Sequence, residues 1–412
     1  MGTSRSEKRL CVFSSLKLLG IILLCVALFI GCDSDDDDDD DLTRNLTAKE
    51  KNYLASGEVD EANDLTSKEL VAKGFSQLNT RTSQGVLKAK SYFKLADIED
   101  SDNSTKFLRA ASSVAAIGFD IETDGSSGEL KDLGDVIEAL GGESVTGAWA
   151  DLEIILPEEL PDTTPSVQEF LDFYDNVVAA EIETALSLLD EITTSFNYVW
   201  TEPVSNNEVE SDYGDVLFGK SVLKANLGFY YFLKAYNLEM ASTELEDLAN
   251  EQITIEQFLN TNESLLKLSS QDSIGKAKSY LTGASEDLLE AIEWMEMETD
   301  AQDDDLIRLS DMSSEEIAEA KKIITEVKNS IENGRIITID DDETGGFGTQ
   351  IVLQPLLDGL DIRALLPDFS GNEAVGFLPD PTFGGILESI EGADPVVLNT
   401  DADGSGTADL FE

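Results

Sequence analysis

From Ser166 onward the apolar residues fall at Val167, Phe170, Leu171, Tyr174, Val178, Ile182, Leu186 and Leu189, a helical period held over many turns. A stripe of this kind must be buried against other helices, and strand-like alternation is nearly absent before residue 335. Ser/Thr followed three residues later by Glu marks helix starts at Thr47–Glu50, Thr66–Glu69, Ser166–Glu169 and Ser313–Glu316. Further long helices are predicted from Leu217 to Met240, from Ser273 to Met297 and from Ser314 to Asn333. Residues 47–334 therefore read as a single all-helical domain. Phe229, Tyr230, Tyr231 and Phe232, with Tyr236, face every side of one of these helices, which predicts that it is central and buried.

Composition narrows the function classes. The 412 residues carry 28 Lys+Arg against 84 Asp+Glu, a net charge of −56. Such a surface repels the phosphates of nucleic acid, so no nucleic-acid partner is expected. A hydrophobic fraction of 41% still supports a folded core, and a saline habitat would produce the same acidity. There is no histidine, which removes Ser-His-Asp and Cys-His nucleophiles and His-ligated metals. Carboxylate chemistry survives, but nothing singles out one pair among 84 acids.

The N-terminus reads as an address. Arg5, Lys8, Arg9 and Lys17 precede an apolar run from Leu18 to Gly31, shorter than the roughly 20 residues that span a bilayer. The run ends Phe29-Ile30-Gly31-Cys32. A small residue before a cysteine at this place resembles the lipobox of bacterial lipoproteins, with Phe29 where that family usually has leucine. The resemblance implies a signal peptide over 1–31, cleavage before Cys32 and a diacyl anchor on Cys32. Cleavage would also remove Cys11 and Cys25, leaving no thiol to misoxidise outside the cytoplasm. Asp33 to Asp41 carries a single serine among its aspartates, so residues 32–46 read as a solvated, self-repelling tether. The expected location is the bacterial cell envelope, at the periplasmic or surface face of the outer membrane. An aspartate directly after a lipidated cysteine also retains some enterobacterial lipoproteins at the inner membrane, so both membranes stay in play.

Residues 89–103, AKSYFKLADIEDSDN, place Ala89, Phe93, Ala96, Asp100 and Asn103 in a pattern that resembles the second helix and turn of a tetratricopeptide repeat. Ser101 stands where that family has proline. Phe107, Ala111 and Val114 fit the first helix of a following repeat, and Leu70 and Gly74 fit the first helix of this one across a longer loop. KAKSYFKLA at Lys88–Ala96 echoes in KAKSYLTGA at Lys276–Ala284. The expected fold class is thus mainly α, an irregular tetratricopeptide-like helical body. Residues 118–165 are glycine-rich, with one short helix expected in GELKDLGDVIEALGG. Trp149, Trp200 and Trp294 are expected in packing, with a sugar-binding groove as the alternative.

After Gly334 the pattern changes. RIITID and TQIVLQ flank DDETGGFG, predicting a β-hairpin with a long loop, and later short apolar runs predict a strap over 335–412 packed on the helices. The strap ends in DADGSGTADLFE, residues 401–412. A short loop that turns sharply can aim six to eight oxygens at a hard cation such as calcium. The spacing resembles an EF-hand-type loop, which implies Asp401, Asp403, Ser405, Thr407 (through its carbonyl), Asp409 and Glu412 as ligands around Gly406. Ala408 and the lack of flanking helices make it a solitary loop, with an expected affinity of about 10⁻⁴–10⁻³ M.

The reading that follows is a lipid-anchored envelope protein that binds a protein or peptide partner through its helical surface, with calcium ordering the C-terminus. Surface capture of glycan nutrients is the alternative, since some lipid-anchored glycan binders share the lipobox and tetratricopeptide-like helices. A carboxylate hydrolase is the weakest of the three, and no catalytic residue is assigned.

Overall fold

The computed structural model describes residues 45–119, 130, 135–136, 143–145, 153–155, 166–201, 208–239, 244, 247–248, 252–298, 306–307, 309, 312–339, 349–375 and 385–386. The chain is mainly α, as its periodicity predicts, with small two-stranded antiparallel sheets. It divides into two compact units. One comprises Met1–Pro161, Asp172–Asn226 and Glu290–Ser313; the other comprises Asp162–Leu171, Leu227–Leu289 and Ser314–Glu412.

In the first unit two short helices, α1 (Ala48–Tyr53) and α2 (Ser56–Ala62), lead into three longer ones. These are α3 (Ser67–Leu78), α4 (Ser83–Glu99) and α5 (Asn103–Phe119), joined by tight turns and packed in sequence, with α4 in the middle. Thr47 and Glu50 complete the predicted capping box: the Glu50 carboxylate accepts from the Thr47 N–H at 2.7 Å, and the Glu50 N–H donates to Oγ1 of Thr47. At Thr66 the Glu69 carboxylate accepts from both the backbone N–H and the hydroxyl. Gly74 of α3 sits against the Phe93 ring, where a Cβ would overlap the aromatic carbons, so the glycine is what lets α3 approach α4. Leu70 of α3, Tyr92, Leu95 and Ala96 of α4, and Leu46, Leu54 and Ala62 share one core cluster.

Residues 143–145 and 153–155 form a first short hairpin, β1–β2. The helix predicted after Ser166 is present as α6 (Val167–Phe173), a π-helical turn at Tyr174–Ala179 and α7 (Ala180–Asp190), opened by the Ser166–Glu169 capping box. α7 packs on α5. A second hairpin follows, β3 (Asn197–Thr201) with β4 (Glu208–Asp212). The two hairpins before residue 335 depart from the all-helical expectation. β4 reads Glu-Val-Glu-Ser-Asp, and a strand with one apolar residue gives no alternation to detect.

Helix α8 runs Tyr213–Ala235 rather than Leu217–Met240. Its start is set by a reciprocal Asp212–Asp215 pair, each backbone N–H donating to the other's carboxylate at 3.1 Å. Its end is set where the Ala235 carbonyl accepts from the Ser269 and Ser270 N–H groups and Tyr236 bridges to Leu268. Helix α9 is short, Ile255–Thr261. Helix α10 covers Gln271–Met297, and α11 covers Ser314–Asn333 as predicted.

The second unit holds the predicted C-terminal hairpin, β5 (Ile337–Ile339) with β6 (Thr349–Ile351). It continues through α12 (Gln354–Leu357), a 3₁₀ turn at Ile362–Leu365 and the hairpin β7 (Asp368–Ser370) with β8 (Glu373–Val375). The Tyr236 hydroxyl donates to the Leu356 and Leu360 carbonyls at 3.3 and 2.9 Å. Arg363 donates to the Leu259 carbonyl of α9. The Gly371 carbonyl accepts from the Glu256 N–H, and the Gly371 N–H donates to the Glu256 carboxylate. Gly359 and Gly371, both at positive φ, make the turns that these bonds require. Of the aromatic run, Tyr230, Tyr231 and Tyr236 are buried, whereas Phe229 is 48% exposed. The helix is therefore not surrounded on all sides.

Candidate functional site

Helix α4 carries the most built chemistry among the described residues. Lys90, Lys94 and Asp97 lie at i, i+4 and i+7, one stripe of a helix whose neighbouring stripe is Ala89, Phe93 and Ala96. Each of these three charged residues is 5% exposed. Burial of an unpaired charge is prohibitive, so each must meet an opposite charge, and each does. Lys94 Nζ lies 3.0 Å from Glu50 Oε2 on α1. Lys90 Nζ is shared between Glu181 of α7 at 3.4 Å and Glu50 at 3.9 Å. Asp97 accepts from Arg109 at 2.7 Å and from the Ser101 hydroxyl at 2.7 Å.

The two glutamates behave oppositely. Burial pushes the Glu50 carboxyl up, but Lys90, Lys94 and the Thr47 N–H outweigh it and hold the group below its ordinary value. Burial pushes the Glu181 carboxyl up, Lys90 offsets only part of this, and the Glu50 charge adds to the rise. Glu181 Oε2 also has no hydrogen-bond partner among the described residues. Although the two carboxyls converge on one ammonium, Lys90 fills the space a scissile bond would need and both acids are at most 3% exposed. The arrangement joins helices and leaves no room for a substrate between the acids.

The turn from α4 to α5 is fixed by a reciprocal pair: the Asp102 N–H donates to Oγ1 of Thr105 and the Thr105 N–H to Oδ1 of Asp102, both at 2.8 Å. Asn103 donates to Thr193 Oγ1 at 2.8 Å. Elsewhere on α4, Lys88 pairs with Glu58 of α2 at 2.7 Å, and Gln84 and Ser91 donate to the Tyr53 and Glu50 carbonyls. Tyr92, 1% exposed, has its hydroxyl pushed up to about 12 by burial and by Glu58 and Glu61.

The tryptophans separate. On β3, Tyr198 and Trp200 face the core, where Trp200 stacks on Phe75 and donates to Ser211 Oγ at 3.1 Å. Trp294 donates to Asp212 Oδ2 at 3.2 Å and meets Tyr213 edge-on. Ser211 and Asp212 are consecutive on β4 and point to opposite faces, so Trp200 and Trp294 do not line one groove. Trp149 lies outside the described residues, as do Cys32 and all six candidate calcium ligands: Asp401, Asp403, Ser405, Thr407, Asp409 and Glu412. Among the described residues no group of three or more Asp, Glu or Cys is placed to hold a metal, and no helix is long and apolar enough to cross a membrane.

Sequence patterns alone miss the buried cluster, because lysine in an alanine-rich helix reads as solvent-facing. The signal available is density: Lys88, Lys90 and Lys94 stand within seven residues of a chain with three acids to every base. Comparison with protein-family models, with curated proteins and with solved structures gives no match for this chain.

Proposed function

We propose that this chain is a lipid-anchored protein of the bacterial cell envelope that binds a protein or peptide partner on its helical surface. Cys32 carries the lipid, the acidic segment 32–46 holds the body off the headgroups, and the outer membrane is the favoured site. The observation that carries the reading is the order of four N-terminal features: basic start, apolar run, Gly31-Cys32 and aspartate run. The stacked helices α3, α4, α5 and α7 support a binding role, since helical stacks act by offering extended surfaces. Calcium is assigned to the 401–412 loop as a stabilising ion.

The mature, lipid-free protein, used as bait on envelope extract, should retain a discrete partner that washes off at high salt. Capture of nothing beyond a bead control would overturn the binding role. Expression of the full chain with an alkyne fatty acid should label it, and Cys32→Ser should remove the label; equal labelling would remove the anchor. Millimolar calcium should raise the melting temperature, and the Asp401→Ala, Glu412→Ala double variant should lose that rise. An unchanged rise would sink the calcium assignment.

A further inference from the structure

We infer that α4, with α3, forms a basic and apolar groove built to hold an acidic amphipathic helix, and that residues 46–62 fill this groove in cis as a releasable plug. The inference rests on the binding role proposed above and names its site and partner chemistry.

Three observations lead there. First, residues 46–62 dock as a ligand would. Leu46, Leu54 and Ala62 insert beside Leu70, Tyr92, Leu95 and Ala96 at 0–4% exposure. Glu50 meets Lys94 and Lys90, and Glu58 meets Lys88. Alternating apolar and acidic anchors on a helical segment are the pattern by which an amphipathic helix is read in a groove. Second, the docked segment cannot hold its own fold. α1 has six residues and α2 seven, well below the roughly 12–15 at which isolated helices become marginally stable in water. They persist only while seated, so release and melting are one event. Third, the groove's charge is anomalous. With 28 basic residues against 84 acidic ones in the chain, three lysines in seven residues all face this segment, which carries four acids and two lysines. Lys90 also pairs with Glu181 of α7, which lies outside the plug, so the groove does not depend on the plug for all its charge balance.

A segment held in cis competes at a millimolar-range effective concentration, so a partner helix of the same chemistry binds in proportion to the open fraction. The plug begins at Leu46, where the 32–46 tether ends.

The probe is a fluorescent peptide of residues 45–62, titrated by anisotropy into the full-length mature chain and into the same chain carrying Glu50→Ala and Glu58→Ala. The variant should bind the peptide at least tenfold more tightly than the unaltered chain. A peptide carrying the same two substitutions should bind neither. Equal binding to both chains, or none to a variant whose helical circular dichroism is intact, overturns the proposal. Hydrogen exchange on the unaltered chain covers the case in which the variant unfolds. Amides of 46–62 should exchange at least tenfold faster than those of α4; equal rates, meaning that the plug opens only with global unfolding, overturn it. Peptide binding combined with an empty envelope pull-down would leave the groove standing and remove the envelope partner. The reverse result would remove the groove alone.

Discussion

Five residues, Lys-Ala-Lys-Ser-Tyr, occur twice in this chain, and their two settings differ. In α4 they are Lys88 to Tyr92; in α10 they are Lys276 to Tyr280. Both copies are helical, and both alanines, Ala89 and Ala277, are fully buried. The rest diverges. Lys90 is buried between Glu181 and Glu50, whereas its counterpart Lys278 pairs with Asp358 at a partly exposed site. Ser91 donates to the Glu50 carbonyl, while Ser279 is exposed. Tyr92 is sealed in the core, while Tyr280 is half-buried and stacks flat on Tyr231, with Lys276 above the Tyr231 ring at 4.8 Å. Local sequence sets the helix and its alanine stripe. What arrives from elsewhere in the chain decides whether the same lysine is a buried structural charge or a surface one.

This contrast can be broken most directly at the tyrosines. Tyr92→Ala should cost about 3–5 kcal/mol, because a large buried ring is deleted. Tyr280→Ala should cost about 1 kcal/mol, near the worth of one aromatic pair. Urea denaturation followed by circular dichroism reads both, and equal losses would erase the distinction. The lysines come next. Lys90→Met strands the buried Glu181 and should cost about 3 kcal/mol at pH 7, shrinking as acid protonates that carboxyl. Lys278→Met should cost less than about 1 kcal/mol, as a partly exposed pair does. The alanines test what the copies share: Ala89→Leu and Ala277→Leu should each lose about 1–3 kcal/mol by overpacking, and a large inequality would show that the common stripe is not equally tight.

The smallest effect is a slope with pH. Glu181 holds its proton to higher pH when folded, so its contribution to stability is full below the ordinary carboxylate value and is lost as pH rises toward its folded value. Glu50 runs the other way: its contribution is present above the ordinary value and is lost as pH falls below it. Glu181→Gln should remove the first slope and spare the second. One group contributes at most about 1.4 kcal/mol per pH unit. A Glu181→Gln denaturation series parallel to the unaltered protein at every pH would show that Glu181 does not titrate with folding.

The helices are legible where a local signal fixes both ends. α11 matches its predicted bounds, and α6 begins at its Ser166–Glu169 box. α8 is displaced because its start uses paired aspartates and its end is imposed by residues 268–270, more than thirty positions downstream. The β3–β4 hairpin stays hidden because one strand is almost wholly polar. The candidate site is illegible for the same reason α4 and α10 differ: Lys90 and Lys94 reveal burial only once α1 and α7 are placed on either side of them.

The sequence gap between Lys90 and Glu181 has a consequence in time. The two lie 91 positions apart, whereas Glu50 precedes Lys94 by 44. Chains emerge N-terminus first at about 5–20 residues per second, so Glu181 appears roughly 5–20 s after Lys90. Throughout that interval the carboxylate that pairs with Lys90 at 3.4 Å in the folded chain has not yet been made. The Lys90–Glu181 pair is thus the late contact of the stack, and a chain halted before α7 would hold the same helices without it.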